Sequence, residues 1–163
     1  MLCKRRAEAT MIRREDDGYW IEHEQRIAVH HELTFACLTT GAGLSTWFPV
    51  SAEVDLRQGG LITLGWDEKA KRRTTIAILD YDPGGRITWD WYAAHRDQHA
   101  PIYWEVVPDV ERGSILRFRQ GPFAPDEDSL VGMALEAQFW AWHICNLRAV
   151  LEAKHDMRAV RPL

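Results

Sequence analysis

At 163 residues the chain is long enough for one domain whose core needs neither disulfides nor metal to stabilise it. It is 46% hydrophobic and 27% charged, with a net charge of -4 and both signs spread along it. It therefore lacks the basic footprint that phosphate contacts demand, which argues against nucleic acid as a partner. Three widely spaced cysteines, Cys3, Cys37 and Cys145, make neither a disulfide framework nor a CxxC metal pattern. With no signal-peptide core and no apolar run near the ~20 residues of a membrane span, the expectation is a cytoplasmic protein without a membrane partner.

Met1 to Asp17 is charged and aperiodic, which predicts a frayed or weakly helical extension over 1–17, with Met11 as a candidate start. Tyr19 to Ala28 alternates as a strand, placing Tyr19, Ile21, His23, Gln25 and Ile27 on one side. His31 to Thr39 predicts a short helix broken at Gly41 and Gly43, and Leu44 to Phe48 a second one stopped by Pro49. Strands follow at Ala52 to Leu56, Leu61 to Trp66, Thr74 to Tyr81 and Arg86 to Tyr92. The turn Asp82-Pro83-Gly84-Gly85 separates the last two. Ala93 to Ala100 reads as a polar loop. Pro101 to Val107 and Ser114 to Gln120 are further strands, and Gly121 to Asp128 is a Pro-containing loop.

Ser129 to Lys154 has the period of one helix face, with Leu130, Met133, Ala137, Trp140, Ile144, Leu147 and Leu151 at steps of three and four. Asp126, Asp128 and Ser129 are candidate N-caps. Turns of hairpin size demand antiparallel neighbours, so the strands form one antiparallel sheet and the fold class is α+β.

The order and wording of these segments resemble the START-like, helix-grip superfamily (SRPBCC, which includes Bet v I and polyketide cyclases). They are most similar to its branch of homologues of the heat-shock-protein-90 ATPase activator's C-terminal domain. Leu38 to Phe48 resembles that branch's "LT-x-x-x-x-L-x-x-W-F" helix pair, and Val54 to Gly60 its "D-x-R-x-G-G" turn. Asp82-Pro83 with Ile87 to Trp91 resembles its "D-P…L-x-x-x-W" hairpin. Trp140, Ile144, Leu147, Leu151 and Glu152 fit its closing helix pattern. Departures are Val29 where Pro is frequent, Phe139 where Gly is common, and Gln120 where many members carry His. The last weighs against any role that relies on that histidine. The resemblance implies a curved sheet of about seven strands wrapped around the C-terminal helix, two short helices after the first strand, and a cavity between sheet and helix. The expected domain is 18–155, with a tail at 156–163.

The alternation puts Ile62, Leu64, Trp66, Trp89, Trp91, Trp104 and Phe118 on the face toward the helix, where Met133, Ala137 and Trp140 meet them. Alanines 134, 137 and 141 on or beside the seam leave room beneath the backbone. These ten residues are the candidate lining for a small lipophilic or flat ligand, and the alternative is a close-packed core with no usable void. His95, Asp97 and His99 would share a face in an extended segment and are ligand types for a metal, but the stretch reads as a solvated loop. Glu136 and His143, two helical turns apart, are candidate acid/base groups at the pocket edge, too far apart for direct contact. No nucleophile elbow or phosphate loop is present, so neither a catalytic residue nor a cofactor or metal is expected.

The leading expectation is a binding protein of the activator-homologue type, non-enzymatic, holding a small lipophilic molecule. A cyclase- or hydrolase-like enzyme using the same cavity is one alternative. A module that acts on a chaperone partner is another, and pairing of two copies through the helix seam is a fourth candidate.

Overall fold

The computed structural model describes residues 10–111 and 113–159. Cys3, most of the expected N-terminal extension and the last four residues lie outside them.

Strand β1 (Thr10–Glu15) pairs antiparallel with β2 (Gly18–Ile27), so the end of the segment expected to fray is an edge strand. It was illegible because Arg13 and Arg14 hide the alternation, and cross-strand pairing supplies what propensity does not. On β2, Ile21, His23, Gln25 and Ile27 are buried, the face expected from alternation.

Helix α1 (His31–Thr39) has the expected bounds, but α2 (Gly41–Ser45) begins where a break was expected. Thr40 caps α2 by accepting from the Gly43 amide at 2.9 Å. The glycines serve close approach: a Cβ on Gly43 would lie 2.3 Å from the Ala36 carbonyl oxygen. They permit the tight corner between the helices and do not interrupt it.

Strands β3 (Ser51–Val54), β4 (Leu61–Gly65), β5 (Arg73–Asp82) and β6 (Arg86–Trp89) follow. The Ala93 to Ala100 loop is instead a separate small hairpin of β7 (Tyr92–Ala93) and β8 (Gln98–His99). Its turn places Arg96 and Asp97 at φ of 58° and 48°. Strands β9 (Ile102–Asp109) and β10 (Gly113–Phe123) complete an eight-stranded antiparallel sheet in the order β1-β2-β10-β9-β6-β5-β4-β3.

Helix α3 (Glu127–Ala153) lies against the sheet, capped by Asp126, which accepts from the Ser129 amide at 2.9 Å and the Ser129 hydroxyl at 2.7 Å. Glu127 and Asp128 in its first turn suit the partial positive charge of that end. Its seam residues Met133, Trp140, Ile144 and Leu147 are buried by this chain's own sheet. The seam is therefore not available for pairing two copies. Ala134, expected on or beside the seam, is exposed, and Ala137 is half-buried.

After α3 the chain turns back as a strap. Arg158 makes a bidentate pair with Asp156 and donates to the carbonyls of Ser45 (2.9 Å) and Pro49 (2.7 Å). Asn146 on α3 donates to the Trp47 carbonyl at 2.8 Å and accepts from the Met157 amide at 2.7 Å. One cation thus ties the end of the chain to the corner carrying Trp47 and Phe48. Arg158→Ala leaves those carbonyls and Asp156 without their charged donor. The expected cost is about 2–4 kcal/mol in urea unfolding. A loss below about 0.5 kcal/mol would show the strap to be decoration.

Candidate functional site

Phe48, Trp89, Trp104, Phe118 and Trp140 are all within 2% of complete burial and pack ring against ring. Centroid separations are 5.0 Å for Phe48–Trp140, 5.3 Å for Trp89–Trp104 and 4.9 Å for Trp104–Phe118. Such tilted and edge-on contacts are the favoured geometries of aromatic pairs. Of the ten candidate lining residues, Ile62, Leu64, Trp89, Trp104, Phe118 and Trp140 belong to this filled interior, and Met133 is buried beside it.

Trp66 and Trp91 differ. With Ile76, Tyr92 and Phe139 they line a cleft of about 530 Å³ at the mouth between sheet and helix, and Arg72 and Asp97 also reach its lining. The rings of Trp66, Trp91 and Phe139 stand 5.2, 6.2 and 6.1 Å from that of buried Phe48. Both indoles have their N–H tied away: Trp66 donates to the Thr74 hydroxyl at 2.8 Å and Trp91 to Glu136 Oε2 at 3.0 Å. Fixing the polar edges locks the rings and leaves apolar surface to face the opening.

Glu136 is the polar centre behind this wall. It is 5% exposed, and its Oε2 accepts from Trp91 Nε1 (3.0 Å), Trp140 Nε1 (3.0 Å) and Gln120 Nε2 (2.9 Å), while Oε1 accepts from the Ala94 amide (3.3 Å). Four donors from α3, β10 and the hairpin region converge on one carboxyl group. Gln120, noted in the sequence as replacing a histidine, is one of them, and its own Oε1 has no partner among the described residues.

His143, 1% exposed, lies against Phe48 and Phe139, with ring centroids at 4.9 and 4.3 Å. Burial, reinforced by the Arg158 charge, pushes its pKa from 6.5 down to about 4, while a hydrogen bond with the Trp47 backbone opposes the shift. The two titratable groups foreseen on this helix are thus both inside the fold. One is saturated by donors and the other is held neutral at pH 7.

The His95 to His99 stretch separates its three metal-like side chains. His99 contacts Asp90 at 2.7 Å, His95 faces Asp128 at 3.8 Å, and Asp97 turns to the cleft. The hairpin sits close to α3 at Gly132; a Cβ there would lie 3.3 Å from Gln98 Oε1.

A larger groove of about 830 Å³ crosses the opposite face of the sheet, bordered by Met11, Leu79 and Tyr103 among charged residues. There Arg117 pairs with Glu24 (3.1 Å) and Glu105 (2.9 Å), and Arg119 pairs with Glu15 and lies 3.8 Å over the Trp20 ring. Ligation by neighbours raises the Arg117 pKa, through Glu105 first and then Glu24. That face compensates its own charges, whereas the cleft presents aromatic surface. The cleft is the stronger candidate.

No helix among the described residues is long and apolar enough to cross a membrane. No curated protein matches the sequence. Protein SSP2350 from Staphylococcus saprophyticus has the same fold at 19% identity and a TM-score of 0.71, covering 85% of this chain and 96% of its own. So does the Aha1 dimer from Colwellia psychrerythraea, at 20% identity and 0.67, covering 82% and 96%. CalU16 from Micromonospora echinospora aligns at 18% identity and 0.61, covering 86% and 84%. These likenesses define the helix-grip fold. The family model described as activator of Hsp90 ATPase homolog 1-like protein matches residues 28–152, and the chain belongs to that family.

Proposed function

We propose that this protein binds a small lipophilic molecule, without chemistry on it, in the cleft of Trp66, Trp91 and Phe139 between the sheet and α3. The observation that carries this reading is the set of rings fixed around buried Phe48, with the Trp91 indole donor turned inward to Glu136 and that of Trp66 tied to Thr74. Apolar concavities with few polar groups are where small ligands bind. The ligand sits at the mouth, because the deeper candidates Trp89, Trp104, Phe118 and Trp140 fill the interior themselves. Of the expected lining, Trp66 and Trp91 touch the ligand, and the other eight residues support them. The compartment proposed is the cytoplasm.

Native mass spectrometry of the purified protein, followed by extraction, tests this directly. A reproducibly bound apolar molecule is expected, and calorimetry with a lipophile panel should show Trp66→Ala weakening binding about tenfold. An empty protein that binds nothing in the panel overturns the reading. A second reading, self-association, is favoured by the dimeric Colwellia relative; sedimentation at graded concentration decides it. A chaperone ATPase as partner rests on the family description alone.

A further inference from the structure

The cleft has two ionised residues in its lining, Arg72 and Asp97, and they are not equivalent. Arg72 is already compensated. Its guanidinium lies 3.9 Å from Asp67 and donates to the Trp66 carbonyl at 3.4 Å, while its backbone amide donates to Asp67 at 2.8 Å. Asp97 has neither an ion pair nor a hydrogen bond among the described residues.

Yet Asp97 is held in place. It sits at the tip of the β7–β8 hairpin beside Arg96, both in the left-handed region at φ of 48° and 58°. The hairpin is pinned on three sides: Arg96 to Asp128 at 3.0 Å, the Ala94 amide to Glu136 at 3.3 Å, and His99 to Asp90 at 2.7 Å. The neighbouring cation, Arg96, is therefore spent on α3 and does not neutralise Asp97. A carboxylate is positioned at the edge of an aromatic cleft with its charge unmatched.

We infer that the ligand of this cleft is an apolar amine: a flat or aliphatic body against Trp66, Trp91 and Phe139, with a cationic nitrogen between Asp97 and the aromatic faces. Both features favour the same charge. Ring faces carry negative electrostatic potential and attract an ammonium group within about 6 Å, and the lone carboxylate adds a direct ion pair. An anionic head meets only the compensated Arg72 and is repelled by Asp97. This inference rests on the lipophile-binding reading and narrows it to one chemical class.

The test uses three probes with one body and different heads: naphthylethylamine, naphthylethanol and naphthylacetate, titrated calorimetrically into the full-length protein at pH 7 and low salt. The amine should bind about tenfold more tightly than the alcohol, and the carboxylate more weakly than either. Asp97→Asn should erase the amine's advantage over the alcohol. Raised salt should also shrink that advantage, because the pair lies at the surface. If the alcohol binds and the amine is no tighter, or if Asp97→Asn leaves the preference intact, the amine inference is overturned and lipophile binding stands. If none of the three binds, both are overturned.

Discussion

Glu136→Ala is expected to lower the unfolding free energy by about 3–5 kcal/mol. The change strands two indole N–H groups and the Gln120 amide inside the fold, and removes the acceptor of the Ala94 N–H at its edge. A buried donor left unsatisfied costs about 1–3 kcal/mol, and these donors share one acceptor, so their losses do not simply add. Glu136→Gln is expected to be milder, about 1–2 kcal/mol. One oxygen can still collect the three side-chain donors, while the new amide faces the Ala94 N–H. Urea denaturation of both variants checks the order. Equal costs for Ala and Gln, or a cost below about 1 kcal/mol for Ala, would refute the assignment of Glu136 as the knot between helix, sheet and hairpin. Near-ultraviolet circular dichroism provides a second readout, since Trp91 and Trp140 lose their fixed edge together.

His143 sets the second large effect, on the dependence of stability on pH. The unfolded chain takes up a proton near the ordinary imidazole value of 6.5, whereas the folded chain refuses it until about pH 4. Between those values the unfolded state binds more protons, so stability rises with pH. The contribution is fully present above pH 6.5 and is lost as pH falls toward 4. At about 1.4 kcal/mol per pH unit the loss is on the order of 3 kcal/mol. Asp82, Asp126 and Asp156 have pKa values depressed below the ordinary 3.8, chiefly by Arg86, the Ser129 amide and Arg158 respectively, so their contributions disappear only at lower pH. Thermal or urea melts at half-unit steps from pH 7.5 to 4 should show the decline in the native protein and a flattened profile in His143→Leu. A variant as pH-sensitive as its parent would remove His143 as the cause. Arg158→Ala should narrow the window, because the cation that helps depress the imidazole is gone.

The antiparallel pairing and the inward face of the central strands were legible residue by residue. Ile62, Leu64, Trp89, Trp104 and Phe118 are where strict alternation puts them, because a pleated strand has no freedom to place successive side chains on one face. The turn at Asp82 to Gly85 and the period of α3 were equally local. Three elements were not. The strand β1 exists through its partner β2, the β7–β8 hairpin is pinned by contacts to α3 that lie more than 30 residues away in the chain, and the Gly41–Gly43 corner depends on how closely two helices approach. Propensity read along the chain has no term for any of these.

The candidate site divides in the same way. By itself, the sequence determined that a row of aromatic side chains faces a helix bearing Glu136 and His143, since composition and period are properties of one segment. Only the tertiary structure decided that most of those rings fill the interior, that Trp66 and Trp91 reach the opening with Phe139, and that Asp97 stands beside them without a partner among the described residues. The reason is geometric: whether aromatic faces close on each other or leave a cleft is set by strand curvature and helix docking to within a few ångströms. The convergence of Glu136, Gln120, Trp91 and Ala94 likewise joins positions 16 to 45 residues apart, which hydrogen bonds can unite only after the sheet has closed around the helix.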